Sequence, residues 1–263
     1  MKPQRIFITG GASGLGFALA QICAKGGWQV CIGDRDIERG EAVIGSLKKW
    51  QPNALFLPCD VTRMSDLESV AKQLQETWGG VDVVVNNAGV AQVGKISDTT
   101  LSDWQWIIDI NLLGVVRGCK VFTPIFQQQG HGHFVNVASM AGLLDVPNMS
   151  AYNATKAAVV SLSETLQNEL AKDNIHVTAV CPSFFKTNLN QGMRTTIDGM
   201  DEKLNKLMAS SKLNAVDIAR LIMKAVDKKK SHVLPHRQGR TAWYMKKWLP
   251  RSWYQKLLYS RLK

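Results

Sequence analysis

The sequence predicts an α/β fold, a single doubly wound parallel sheet with helices on both faces. Short apolar, β-rich runs alternate with longer stretches of helical periodicity, which is the pattern of repeated βαβ units. The runs are apolar on both faces, as in Val81-Asp82-Val83-Val84-Val85, which suits strands covered by helices above and below. No repeat, low-complexity stretch or linker interrupts this alternation before residue 236.

Taken in order, the first strand is Arg5–Thr9, and a Gly-rich turn carries it into a helix over Leu15–Lys25. Gln29–Gly33 is the second strand, followed by a helix over Ile37–Trp50. Ala54–Pro58 and the helix Met64–Trp78 form the next pair. Val81–Val85 then leads to a long helical stretch, Leu101–Phe126, with a break expected near Gly114. His133–Ala138 precedes a loop holding Gly142 and Pro147 and a helix over Ala151–Lys172. That helix has apolar residues at helical spacing, and no Pro or Gly from Ser150 to Leu166. His176–Val180 is the sixth strand, Ala215–Asp227 a further helix, and His232–Leu234 a short seventh strand.

Composition is ordinary for a globular chain of 263 residues, 45% hydrophobic and 20% charged, and this length buries a core without covalent staples. Cys23, Cys31, Cys59, Cys119 and Cys181 are scattered with no CxxC, so they read as reduced core thiols of a cytoplasmic protein, and no metal site is expected. No signal peptide is visible and no apolar run approaches ~20 residues. The net charge of +11 is uneven: residues 236–263 hold eight Lys+Arg and no Asp or Glu, which leaves +3 for residues 1–235. The expected organisation is therefore one folded domain, 1–235, and a basic, aromatic-rich tail, 236–263.

Ligands of such sheets bind beyond the carboxyl ends of the strands. After the first strand comes Thr9-Gly10-Gly11-Ala12-Ser13-Gly14-Leu15-Gly16. Glycines there allow a tight turn and close approach of a pyrophosphate to a helix N-terminus, so Gly10, Ser13, Gly14, Leu15 and Gly16 are candidate cofactor contacts. Asp34 ends the second strand, where a carboxylate accepts hydrogen bonds from ribose hydroxyls and repels a 2′-phosphate; Arg35 beside it pulls the other way. Asp60-Val61 can flank an adenine ring. Asn86-Asn87-Ala88-Gly89 places paired amides at a strand end, where they must be bonded. Ser139 lies at the end of the fifth strand, and Tyr152 and Lys156 share one helix face at i, i+4.

These pieces together resemble the single-domain short-chain dehydrogenases/reductases: TGGASGLG at 9–16, NNAG at 86–89, Asn111 in INLLG, Ser139, and YNATK at 152–156, over residues 5 to 234. The resemblance implies a Rossmann-type fold, a nicotinamide cofactor and hydride transfer at a carbinol or carbonyl carbon. Tyr152 is then the acid/base, its phenol drawn down in pKa by the Lys156 ammonium, and Ser139 hydrogen-bonds the substrate oxygen. By resemblance, Lys156 also binds the nicotinamide ribose and Asn111 holds a water beside it. Gly89, Asn87, Ala88, Pro182, Phe185 and Thr187 complete the cofactor set. The family's Pro-Gly after the sixth strand is Pro182-Ser183 here, so a different backbone path is expected.

Asp34 favours NAD over NADP. Phe184-Phe185 and the Met- and Leu-bearing stretch 188–211, where the family carries a lid, favour an apolar alcohol or ketone, lipid-, steroid- or long-chain-like, if they form a lid rather than an ordinary packed helix. An NADPH-dependent reductase of 3-oxoacyl thioesters and a non-catalytic nucleotide-binding scaffold are the alternatives. A homodimer or homotetramer is expected by analogy alone. The segment 241–263 holds three of the eight Trp and three of the four Tyr, split at Pro250, with Trp253, Leu257, Leu258 and Leu262 on one face and Lys256, Arg261 and Lys263 around it. It fits peripheral contact with an anionic membrane, packing on a neighbouring subunit, or a cap on the cleft. Nucleic-acid binding is not expected, since the body offers no basic face.

Overall fold

The computed structural model describes residues 4–254 and 256. The first third of the chain runs β1 (Arg5–Thr9), α1 (Gly14–Lys25), β2 (Gln29–Asp34), α2 (Ile37–Lys48), β3 (Leu55–Pro58), α3 (Met64–Trp78) and β4 (Val83–Asn86). There follow β5 (Gln92–Val93), α4 (Leu101–Ile108), α5 (Gly114–Gln129), β6 (Gly132–Val137), α6 (Ala141–Leu144), α7 (Ser150–Glu169) and β7 (Ile175–Val180). The remainder holds β8 (Arg194–Thr195), α8 (Met200–Ala209), α9 (Ala215–Asp227), β9 (His232–Val233) and α10 (Arg237–Trp248).

Seven strands form one parallel sheet in the order β3-β2-β1-β4-β6-β7-β9. The expected short seventh strand is present and pairs with β7. Because strand side chains alternate, Ile6 and Ile8 pack with Leu19, Ile218 and Ile222 of α1 and α9, while Phe7 packs on the other face with Leu74 and Phe122 of α3 and α5. Val83 and Val85 join the first cluster and Val84 the second. Such two-sided burial explains the continuous apolar runs in the sequence. All five cysteines are buried and unpaired, and burial drives thiols such as Cys23 and Cys119 up to about 12.

The predicted break near Gly114 is a π-helical turn, Asp109–Leu113, between α4 and α5. A Cβ on Gly114 would stand 2.9 Å from Val61 Cγ2, so the helix needs glycine to pass there. The loop after β6, expected to be irregular, contains α6. Gly142 allows it to lie on α7, where a Cβ would meet the Ala157 nitrogen at 2.5 Å. The stretch 188–211 opens with a 3-10 turn, Leu189–Gly192, and is α-helical only from Met200; between them β8 pairs in parallel with β5, and Arg194 bonds Asp103 at 2.9 Å. The first half of the basic tail is α10, seated on α6: Gly239 abuts Met140, and Lys246 donates to the Leu143 carbonyl at 2.8 Å and pairs with Asp145. Trp253 is 65% exposed, and Leu257, Leu258, Arg261, Leu262 and Lys263 lie outside the described residues.

Candidate active site

The chain leaves β1 for β2 on one side and returns through β4 on the other, so a cleft opens above the boundary between β1 and β4. A cavity of about 500 Å³ occupies it. Of the residues singled out in the sequence, Gly10, Ser13, Gly14, Leu15, Asp34, Arg35, Asp60, Val61, Asn87, Ala88, Gly89, Ser139, Tyr152, Lys156, Pro182, Phe185 and Thr187 all line it. Gly16 and Asn111 stand behind the wall instead of in it.

At one end, the β1–α1 turn is bent by Gly10 and Gly14, with φ of 62° and 54°. A Cβ on Gly10 would lie 3.0 Å from Ala88 Cα. Ser13 precedes α1 without capping it through its side chain, and the first turn carries no acidic residue. The helix start therefore offers backbone N–H groups and the positive end of its dipole to an anion. Gly16 has a different task. A Cβ there would fall 2.3 Å from the Gly10 carbonyl, so its lack of a side chain lets α1 pack against the turn.

Asp34 is held by the backbone: Oδ2 accepts from the Ala12 N–H and Oδ1 from the Asp36 N–H, each at 3.1 Å. Asp60 Oδ1 accepts from the Thr62 N–H at 2.9 Å and hydroxyl at 2.8 Å; burial opposes ionisation, but these bonds with Arg63 and Arg35 hold the carboxyl below its usual range. Asn86 donates to Asn136 Oδ1 at 2.8 Å, tying β4 to β6, and Asn87 donates to the Thr9 and Gly10 carbonyls at 2.9 and 3.1 Å, tying β4 to the glycine turn. A site of this make-up fits a dinucleotide, with an anion cradle at one end and an anchored carboxylate a strand away.

At the other end, Ser139, Tyr152 and Lys156 converge, all buried. The Ser139 hydroxyl donates to the Pro182 carbonyl at 3.4 Å and accepts from the Ala141 N–H at 3.1 Å. Lys156 Nζ donates to the Val137 carbonyl at 2.9 Å and lies 5.8 Å from the Tyr152 ring centre. Burial pushes Lys156 down to about 8. It pushes the Tyr152 phenol up, with the Ser139 hydrogen bond offsetting part of the rise. The expectation that Lys156 draws the phenol below its ordinary value is thus not met by the protein's own groups, because burial raises it by more than the Ser139 hydrogen bond lowers it. Asn111 sits in the π turn; its Oδ1 accepts from the Val90 N–H at 2.8 Å and its Nδ2 donates to the Val90 carbonyl at 2.9 Å. Ser183 keeps an ordinary negative φ, and its N–H donates to His236 Nδ1 at 3.1 Å.

Comparison with known proteins decides the family. A family profile described as short chain dehydrogenase matches residues 4–198. The chain belongs to the short-chain dehydrogenase family. An uncharacterized oxidoreductase of Staphylococcus aureus (strain MRSA252) is 31% identical over 223 residues, 85% of this chain and 90% of that protein. A CLA biosynthesis dehydrogenase/reductase of Lactiplantibacillus plantarum is 35% identical over 191 residues, 72% of this chain and 67% of that protein. A short-chain dehydrogenase/reductase from Burkholderia phymatum, solved with NAD, superposes with a TM-score of 0.88 at 30% identity over 93% of each chain. The chain is an oxidoreductase that uses a nicotinamide cofactor and acts on CH–OH groups.

This short-chain dehydrogenase also lines its cavity with residues that the sequence reading passed over. Arg39 joins Arg35 at the adenosine end and pairs with Asp36 at 3.2 Å. Leu144, Val146 and Met149, from α6 and the turn after it, face the Tyr152 end. Helical spacing from Asp36 could have flagged Arg39; nothing local marks the other three.

Proposed function

We propose that the preferred reaction is hydride transfer between NAD and an apolar secondary alcohol or ketone. The observation that carries this is the apolar cluster built around Tyr152. It joins Ala91, Val93, Met149 and Leu204, with Phe184, Leu189 and Met193 packed against them. Ser139, Tyr152 and Lys156 bring two hydroxyls and one ammonium to the reacting end. A substrate recognised there is positioned by shape and burial, with its oxygen between the Ser139 and Tyr152 hydroxyls.

In this reading the helix start at Gly14 holds the pyrophosphate and Asp34 the adenosine ribose. Lys156 holds the nicotinamide ribose, and Pro182, Phe185 and Thr187 flank the nicotinamide. A bound nicotinamide supplies hydride exchange and, when oxidised, a positive charge that favours the phenolate. Tyr152 gives its proton to the substrate oxygen in reduction and takes it back in oxidation. Ser139, positioned by the Ala141 N–H, turns its one hydrogen from the Pro182 carbonyl to the same oxygen as charge develops. Asn111, bonded to Val90, braces the loop beside Gly89, which is where Lys156 Nζ lies. A turnover screen of alcohols and ketones of graded chain length, with NAD(H) and NADP(H) in parallel, tests the reading. Rising kcat/KM with chain length supports it; best turnover of short polar substrates contradicts it. Arg35 and Arg39 favour the second reading, an NADPH-dependent reductase of 3-oxoacyl thioesters, for which NADPH turnover would dominate.

The same proposal includes a catalytic unit (1–235) with a tail (236–263), cytoplasmic residence and a homodimer or homotetramer, the last supported by Leu101 and Leu113 exposed at α4 and the π turn. No described helix is long and apolar enough to cross a membrane. Peripheral contact is supported by Trp248 and Trp253, 76% and 65% exposed, with Lys247 Nζ 5.9 Å from the Trp248 ring. Vesicle sedimentation of the wild type against Trp248→Ala/Trp253→Ala tests it; equal pelleting on anionic lipid ends the idea.

A further inference from the structure

The segment 184–210, which covers the Tyr152 end of the cavity, begins and ends at one imidazole. His236 opens the tail just before α10. Its Nδ1 accepts from the Ser183 N–H at 3.1 Å, where the segment begins. Its Nε2 lies 3.4 Å from Ser211 Oγ, where the segment ends. The protons can be placed. Nδ1 is an acceptor, so Nε2 carries the hydrogen of a neutral ring. Ser211 Oγ gives its own hydrogen to the Leu213 carbonyl at 2.9 Å, so it receives the one from Nε2. Every polar atom of the clip then has one consistent role. The ring also lies 6.4 Å from Phe185, which lines the cavity.

We infer that His236 is a positioning residue of this dehydrogenase: it pins both ends of segment 184–210 and so sets how often the substrate end of the cavity opens. This rests on the cavity being the active site, and on no particular substrate. The clip is itself anchored, because α10 seats Gly239 on Met140 and Lys246 on the Leu143 carbonyl. Between its ends the segment is held by the two-residue pairing of β5 with β8, by Arg194 on Asp103 and the Trp106 ring, and by apolar packing of Phe184, Leu189, Met193, Leu204 and Met208. Losing both clip bonds should therefore be felt along the segment. Ser183, where the family pattern has glycine, leaves its N–H turned to the imidazole with φ in the ordinary range.

The test is hydrogen exchange measured by mass spectrometry on the full-length protein saturated with NADH, comparing wild type, His236→Ala, His236→Asn and His236→Gln. Asn places an oxygen near the Nδ1 position and Gln a donor near Nε2. His236→Ala should speed exchange in 184–210 by roughly fivefold or more, the scale of one lost hydrogen bond, and leave sheet amides unchanged. Asn should restore slow exchange near Ser183 only, and Gln near Ser211 only. In turnover with the best substrate of the graded screen, KM should rise more than kcat falls. Unchanged exchange in the Ala variant would overturn the inference, and so would a uniform rise over the whole chain or equal rescue by Asn and Gln. Loss of NADH saturation in the wild type would instead overturn the reading of the cavity.

Discussion

Replacing Asp34 by Ala tests how the adenosine end chooses its cofactor. The carboxylate has about four acceptor positions. Two are taken by the Ala12 and Asp36 N–H groups at 3.1 Å, which leaves two for ribose hydroxyls. A hydrogen bond to a charged group contributes about 1.5–3 kcal/mol, so losing one weakens NADH binding about tenfold to a hundredfold. NADPH should not share that loss. Its 2′-phosphate is repelled by Asp34 and would meet Arg35 and Arg39, which line the same end. The assay is a pair of fluorescence titrations with NADH and NADPH, on wild type, Asp34→Ala and Asp34→Asn. The wild type should bind NADH more tightly, and both variants should narrow or reverse the preference. Equal weakening of both cofactors would reduce Asp34 to an anchor for two amides. Tighter NADPH binding by the wild type would refute the reasoning outright and favour the thioester reductase reading.

Gly16→Ala should lower the melting temperature and weaken NADH binding together, because its Cβ meets the Gly10 carbonyl at 2.3 Å and overpacking of this kind costs about 1–3 kcal/mol; thermal melts with and without NADH read both effects. Lys156 is held at about 8 by burial against 10.5 ordinarily, so below pH 8 the fold bears the whole cost of the buried ammonium. As pH rises from 8 to 10.5 the folded state gives up this proton before the unfolded chain does, and the cost disappears. Urea unfolding of wild type and Lys156→Met should therefore show the wild type gaining on the variant across that window; a constant difference would mean that Lys156 is not perturbed.

The sheet was legible because two-sided burial leaves unbroken apolar runs such as Val83–Val85, and the glycine turn because φ of 62° and 54° favours glycine. The break near Gly114 was legible from the glycine itself, which keeps a helical φ of −59° and whose missing side chain lets the helix pass Val61. What escaped depends on contacts between distant segments. Strands β5 and β8 have two residues each, too few for a period, and exist because Gln92 and Val93 meet Arg194 and Thr195. Helix α6 has four residues and is placed by Gly142 against α7. Helix α10 carries a glycine and a mixed pattern, and what seats it is the fit of Gly239 on Met140. The upward push on Tyr152 could not be read from YNATK, since that spacing gives the ammonium's position and says nothing of how dry the site is. Likewise, Gly16 belongs to the fingerprint by spacing, but its neighbour is a carbonyl of the protein.

The central claim is that Tyr152 moves the proton. Tyr152→Phe removes one hydroxyl from a side chain that is 7% exposed and leaves the ring packed among Met149, Ala151 and Leu204. Measured with the best substrate of the graded screen, kcat should fall about 10²–10⁴-fold while NADH affinity and melting temperature stay near wild type. More than a tenth of the wild-type kcat, with NADH binding intact, would contradict the account.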